Sequence, residues 1–292
     1  MKMNRNSIEE AKKLWKNGHH EQAIRILEVE NELKQDNQVI VTLVHFYVED
    51  GFYKEALRLV NDQNEELIYA EDFFETYVKI LIENDRFILA RKELLNHKTL
   101  DAFNRDGLVK ALDKREEYFK KNYPQTIVEE ERNFYHIGDQ KFIKQSKILD
   151  DATKLPLESY AKIAKYNLVD PFLNQVTRVS ILKELAFLKV KETVDFQWID
   201  GIRYKVKPIE LTNQVDLKIE IDALVRKNND PIQAEMLVQQ VNLMYDLACP
   251  FPKRIFETAS EWEQGIRKQI LEQTDVKKFD QLNQIMKSII EQ

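Results

Sequence analysis

One phrase is written three times near the start of this chain, at a fixed period. It reads Leu14-Trp15-Lys16-Asn17-Gly18-His19-His20-Glu21-Gln22-Ala23, then Tyr47-Val48-Glu49-Asp50-Gly51-Phe52-Tyr53-Lys54-Glu55-Ala56, then Leu81-Ile82-Glu83-Asn84-Asp85-Arg86-Phe87-Ile88-Leu89-Ala90. Gly18, Gly51 and Asp85 stand 33 and 34 residues apart, and so do Ala23, Ala56 and Ala90. A repeat of this length is one helical hairpin that cannot bury its apolar face alone, so the period predicts a stacked solenoid. Arrays of this kind present an extended surface and seldom carry chemistry of their own.

Composition agrees with long helices joined by short turns. Only 6 of 292 residues are glycine, while 43% are hydrophobic and 32% charged. That mixture suits amphipathic helices and is too apolar for a disordered chain. The first residues lead into a polar helix with no apolar signal-peptide core, and no apolar run approaches the length of a membrane span. The expectation is a cytoplasmic protein. Cys249 is the single cysteine, which excludes an intramolecular disulfide and a multi-cysteine zinc site. The net charge of −6 disfavours general nucleic-acid binding. Between Glu49 and Glu93 twelve acids oppose six bases, so the second and third repeats equal the whole imbalance.

The threefold phrase resembles the tetratricopeptide repeat (TPR) family, in which helix A, a tight turn and helix B recur; the TPR-repeat proteins of bacteria are similar. Gly18 and Gly51 suit a helix-ending residue with positive φ, and Asp85 replaces glycine there with a residue that tolerates that conformation. Ala23, Ala56 and Ala90 are small where helix B approaches helix A, and Leu27, Val60 and Leu94 follow one turn later. Leu14, Tyr47 and Leu81 fill the large position of helix A. The pattern departs from the family at Val44 and Val78, where helix A expects a small residue as at Ala11, and in lacking the proline between repeats. The resemblance spans residues 4–97. It implies a concave groove lined by helix A, with Lys12, Trp15, Gln38, His45, Asp72, Glu75 and Lys79 as candidate partner-binding residues. Some TPR adaptors clamp a peptide carboxylate with cationic and amide residues. Here Ile8, Lys12, Thr42, Asp72 and Thr76 hold those positions, and four of the five cannot serve, which disfavours such a tail; the acidic third repeat suggests a basic or amphipathic partner instead.

The whole reads as an all-α fold in two parts. Residues 1–122 form three repeats plus a capping helix over Leu100–Lys121, and residues 123–292 form an irregular helical region carrying one β-hairpin at 193–207. Ser7-Ile8-Glu9-Glu10 and Ser260-Glu261-Trp262-Glu263 read as capping boxes. Pro156, Asp170-Pro171 and Asp230-Pro231 read as helix starts, and a last helix is expected from about Asp275. In the hairpin, Val194, Phe196 and Trp198 alternate with polar residues, as do Ile202, Tyr204 and Val206. A two-residue loop would set Trp198 against Arg203. A three-residue loop, Ile199-Asp200-Gly201, pairs Trp198 with Ile202, Phe196 with Tyr204 and Val194 with Val206, and is preferred. The alternating stretch 215–221 is open to either strand or helix, with helix favoured by the residues after it. Residues 128–149, around Gly138-Asp139, are a candidate fourth repeat.

No catalytic constellation emerges. The six glycines are never closer than 31 residues, which eliminates phosphate-binding and nucleophile-elbow motifs. The five histidines form no HExxH pair, His19-His20 reads as solvated, and Cys249 as a buried side chain. Arg203, Lys205 and Lys207 share one face of the hairpin and are an alternative basic surface. The reading is therefore a non-catalytic scaffold or adaptor with no cofactor or metal, binding a protein or peptide. A peptide-sensing regulator, or an RNA-associated factor using the basic face, are the alternatives.

Overall fold

The computed structural model describes residues 2–34, 36–63, 65–70, 73–97, 102–213 and 215–290. It is mostly helical, with one two-stranded antiparallel hairpin. The chain divides into two compact units, Met1–Pro124 and Gln125–Gln292. Among the described residues no helix is long and apolar enough to cross a membrane.

The first unit contains α1 (Lys2–Lys16), α2 (His20–Leu33), α3 (Asn37–Glu49), α4 (Tyr53–Asn61), the short α5 (Glu65–Ile68), α6 (Phe74–Glu83), α7 (Phe87–Asn96) and α8 (Ala102–Asn122). Each long helix packs on the next, and α1 also meets α3, α3 meets α6 and α6 meets α8. Three of the turns share one construction. Gly18, Gly51 and Asp85 have φ of 80°, 79° and 59°. The residue after each donates its N–H five residues back: His19 to Leu14 O (2.9 Å), Phe52 to Tyr47 O (2.7 Å) and Arg86 to Leu81 O (2.9 Å). This left-handed ending satisfies carbonyls that the last helical turn leaves unpaired. Ala23, Ala56 and Ala90 are fully buried, as are Leu27, Val60 and Leu94 behind them. Arg115 of α8 donates from Nε to Asp85 Oδ1 (2.7 Å), tying α8 to the third turn.

The second unit contains α9 (Pro124–Tyr135, entering from its first residue), α10 (Phe142–Ala152), α11 (Leu157–Asn167), α12 (Gln175–Phe187), β1 (Val194–Gln197), β2 (Arg203–Val206), α13 (Val215–Asn228), α14 (Pro231–Ala248), α15 (Ala259–Ile270) and α16 (Asp280–Ile290). Helices α13, α14 and α15 pack mutually, and α14 also meets α12 and α16. Their core is aromatic: Trp262 lies 5.8 Å from Tyr245, 5.6 Å from Phe256 and 5.5 Å from Phe279 between ring centroids. The hairpin takes the three-residue-loop register, with Val194 opposite Val206 and Phe196 opposite Tyr204. The Trp198 N–H donates to Ile202 O at 3.0 Å to close it. A lone hairpin is marginal in water. This one is held by the indole of Trp198, donating to Ala248 O at the end of α14 (3.0 Å), and by the Gln197 N–H, donating to Leu168 O (2.9 Å).

Several expected helix starts move. Ser7 lies inside α1, which begins at Lys2, so no free first-turn N–H remains for it; its hydroxyl donates instead to Glu30 Oε2 (2.9 Å). The second capping box is Thr258–Glu261, two residues ahead of the expected Ser260–Glu263, because the Glu263 carboxylate is buried and engaged by Arg267 (2.9 Å). Asp170-Pro171 forms a turn in which Asp170 Oδ1 accepts the Phe172 N–H (3.0 Å), and Asn174 caps α12 through Val176 N–H (2.8 Å). Pro156 is the residue before α11 rather than its first, and α16 begins at Asp280 after a 3₁₀ turn at Lys277–Phe279. Asp230 caps α14 as expected, accepting from Ile232 and Gln233 (3.1 Å each). Residues 215–221 are helical, within α13.

Candidate functional site

In the first unit, a cleft of about 460 Å³ lies between α1 and α3, and Leu67 of α5 also lines it. Lys12 and Glu9 line it from α1, with Ile8 beneath them, and Gln38, Val41 and Thr42 line it from α3. The one-turn spacings of Ile8 and Lys12, and of Gln38 and Thr42, put each pair on one helix face. The Thr42 hydroxyl donates to Gln38 O (2.7 Å). The walls therefore offer a cation, a carboxylate and an amide over an apolar floor.

The other candidate residues fall in different places. Trp15 stacks between His20 (3.9 Å) and Phe46 (4.0 Å), and its indole donates to Glu49 Oε2 (2.7 Å). It is packed between successive turns and does not line the cleft. His20, read from sequence as solvated, is fixed there too, with Nδ1 2.7 Å from Asp50 Oδ1. A ring sandwich and an acid one residue from the turn glycine make this contact, which the isolated dipeptide does not reveal. His45 meets Phe73 edge-on, with centroids 6.3 Å apart. Glu75 is half-buried and Lys79 exposed, one turn apart on α6. Asp72 lies outside the described residues. Leu67 and Asn37 are cleft residues that the repeat pattern missed, since α5 interrupts the period and Asn37 begins its helix.

The alternative basic face is largely neutralised. Lys205 Nζ sits 2.9 Å from Asp195 Oδ1, and Lys207 Nζ 3.6 Å from Glu210 Oε1. Arg203 is exposed opposite Gln197. On the other face of the hairpin the Arg254 guanidinium lies 4.3 Å over the Tyr204 ring and 4.6 Å over Phe251, a packing use of cation–π attraction.

Cys249 is buried, and burial pushes its thiol up to about 12, so the nucleophilic thiolate is suppressed. Among the described residues, no three His, Cys, Asp or Glu side chains stand close enough to hold a metal ion. Comparisons with protein-family models, with curated proteins and with solved structures found no match to this chain.

Proposed function

We propose that this chain is a non-catalytic cytosolic adaptor, a degenerate TPR array that holds a peptide or protein segment against α1 and α3. The observation that carries the reading is the cleft lined by Lys12, Gln38 and Thr42, three residues at the helix A positions that TPR proteins use for binding. The threefold left-handed turn, with a buried alanine after each, supports the array. The occupant is an extended or helical segment with apolar side chains for Ile8, Val41 and Leu67 and polar groups for Glu9, Lys12 and Gln38.

Filling the cleft tests this. Thr42→Trp places a large ring over Val41 and Leu67, and Lys12→Glu reverses the wall charge. Wild-type protein, used as bait in native lysate, is expected to retain partners that both variants lose, while Lys121→Glu on α8 keeps them. Identical partner profiles for all four proteins refute the groove.

A further inference from the structure

The second unit has its own cleft, of about 520 Å³, where the start of α12 meets the hairpin loop. Its wall contains a buried cation. Arg178 is only 5% exposed. Its guanidinium donates to four oxygens, none of them a carboxylate: Asp170 O (2.7 Å), Leu173 O (2.9 Å), Gln197 O (3.2 Å) and Gln175 Oε1 (2.7 Å). Nε is left with no acceptor. Gln175 is 6% exposed, and its Nε2 likewise finds none. Buried polar groups are nearly always satisfied, and one left unmet costs about 1–3 kcal/mol. Burial pulls the guanidinium down to about 10, against the opposing field of Asp170. The full positive charge is thus held beside the cleft on neutral carbonyls.

Three further features have the same sense. The cleft opens at the N-terminal end of α12, a 13-residue helix whose dipole is positive there. Lys141 lines the mouth. The one acid of the lining, Asp139, is exposed and paired with His136 (3.0 Å). The remaining walls mix the amides of Gln140, Gln145, Asn174 and Gln197 with apolar groups, among them Trp198 from the hairpin and Phe172, which is 77% exposed at the lip.

We propose that this cleft binds a small organic acid, its carboxylate toward Arg178, Gln175 and the start of α12, and its apolar body against Trp198 and Phe172. A carboxylate supplies acceptors for the two orphaned donors and a counter-charge for the guanidinium. The aromatic walls favour a ring or branched chain over a bare ion.

Benzoate, phenylacetate, neutral benzamide and inorganic phosphate can be titrated into the full chain, labelled for amide and indole ¹⁵N–¹H correlation. Benzoate and phenylacetate are expected to shift the backbone signals of Asn174 and Gln175 and the Trp198 indole saturably, with benzamide weaker by tenfold or more. Lys141→Glu, an exposed change that spares the fold, is expected to weaken benzoate several-fold. Gln175→Leu is expected to weaken it while leaving the remaining spectrum in place. Benzamide binding as well as benzoate overturns the carboxylate assignment, and phosphate binding in place of both acids overturns the organic body. No saturable shift with either acid overturns the site.

Discussion

One substitution, made at two glycines of the first unit, should have opposite signs. Gly51 has φ of 79°, and a Cβ added there meets nothing within 4 Å. Gly107 lies within α8, and a Cβ there also meets nothing within 4 Å. Sterics with neighbours are therefore absent from both, and only the backbone decides. Gly51→Ala puts an L-residue into the left-handed region at a cost of about 1–2 kcal/mol. Gly107→Ala removes the entropy of glycine from a helix interior and gains about 0.5–1 kcal/mol. Hydrogen exchange of buried amides in α3 and α8 reads both without assuming that the two units unfold together. Gly51→Ala should speed exchange by a factor of about 5–30 and Gly107→Ala slow it about two- to five-fold, if opening precedes exchange at equilibrium. A neutral Gly51→Ala would show that the turn does not need its left-handed residue. A destabilising Gly107→Ala would show that α8 is not the regular, open-faced helix described.

Ala56→Leu forces extra volume into a fully buried contact between α3 and α4 and should cost about 1–3 kcal/mol, whereas Ala56→Ser should be milder; equal stability of the leucine variant in urea unfolding contradicts the close approach. Trp198→Phe removes the indole bond to Ala248 O, which keeps the Phe251 N–H (2.9 Å), so hairpin amides should exchange faster by the equivalent of about 0.5–1.5 kcal/mol, and unchanged protection in β1 and β2 speaks against that anchor. The Cys249 thiol, raised to about 12, is protonated through neutral pH and ionises only as pH climbs toward that value. At pH 8 its thiolate fraction is on the order of one in ten thousand, so native protein should resist a thiol reagent that labels it at once in urea. Stoichiometric labelling of the native chain within minutes rejects the burial.

What the sequence shows plainly is what local chemistry decides. A left-handed helix ending asks for glycine or a tolerant residue, and Gly18, Gly51 and Asp85 answer at the repeat period. Alternation across a known loop length leaves one register that pairs Phe196 with Tyr204, and the strands adopt it. Where two solutions share a spacing, tertiary structure chooses. Thr258–Glu261 and Ser260–Glu263 are both capping boxes on paper, and the burial of Glu263 selects the first. Of the groove candidates, Lys12 and Gln38 meet in one cleft because each follows from its helix face alone. Trp15 does not line it, because the rings of His20 and Phe46, distant in sequence from one another, sandwich it.

Arg178 marks the far limit of that legibility, and its physical role explains why. Gln175-Val176-Thr177-Arg178 reads as the polar opening of an ordinary helix, and a guanidinium at such a place is normally solvated. Its burial depends on carbonyls from three other positions. Asp170 and Leu173 lie in the turn before α12, while Gln197 ends β1. Asp170 O also accepts the Leu173 N–H within that turn (3.2 Å), so the guanidinium reinforces a bond the turn already makes and joins it to the end of the strand. One flat group with five donors serves all three at once, a geometry that lysine lacks. The turn, the hairpin and the helix start are thereby fixed relative to one another, and the same bond set carries a positive charge to the wall of the cleft they enclose. The bolt that positions the hairpin and the charge offered to a ligand are one residue. That coupling makes cleft occupancy and hairpin order rise and fall together, since an acceptor that satisfies Nε also holds the guanidinium against its three carbonyls.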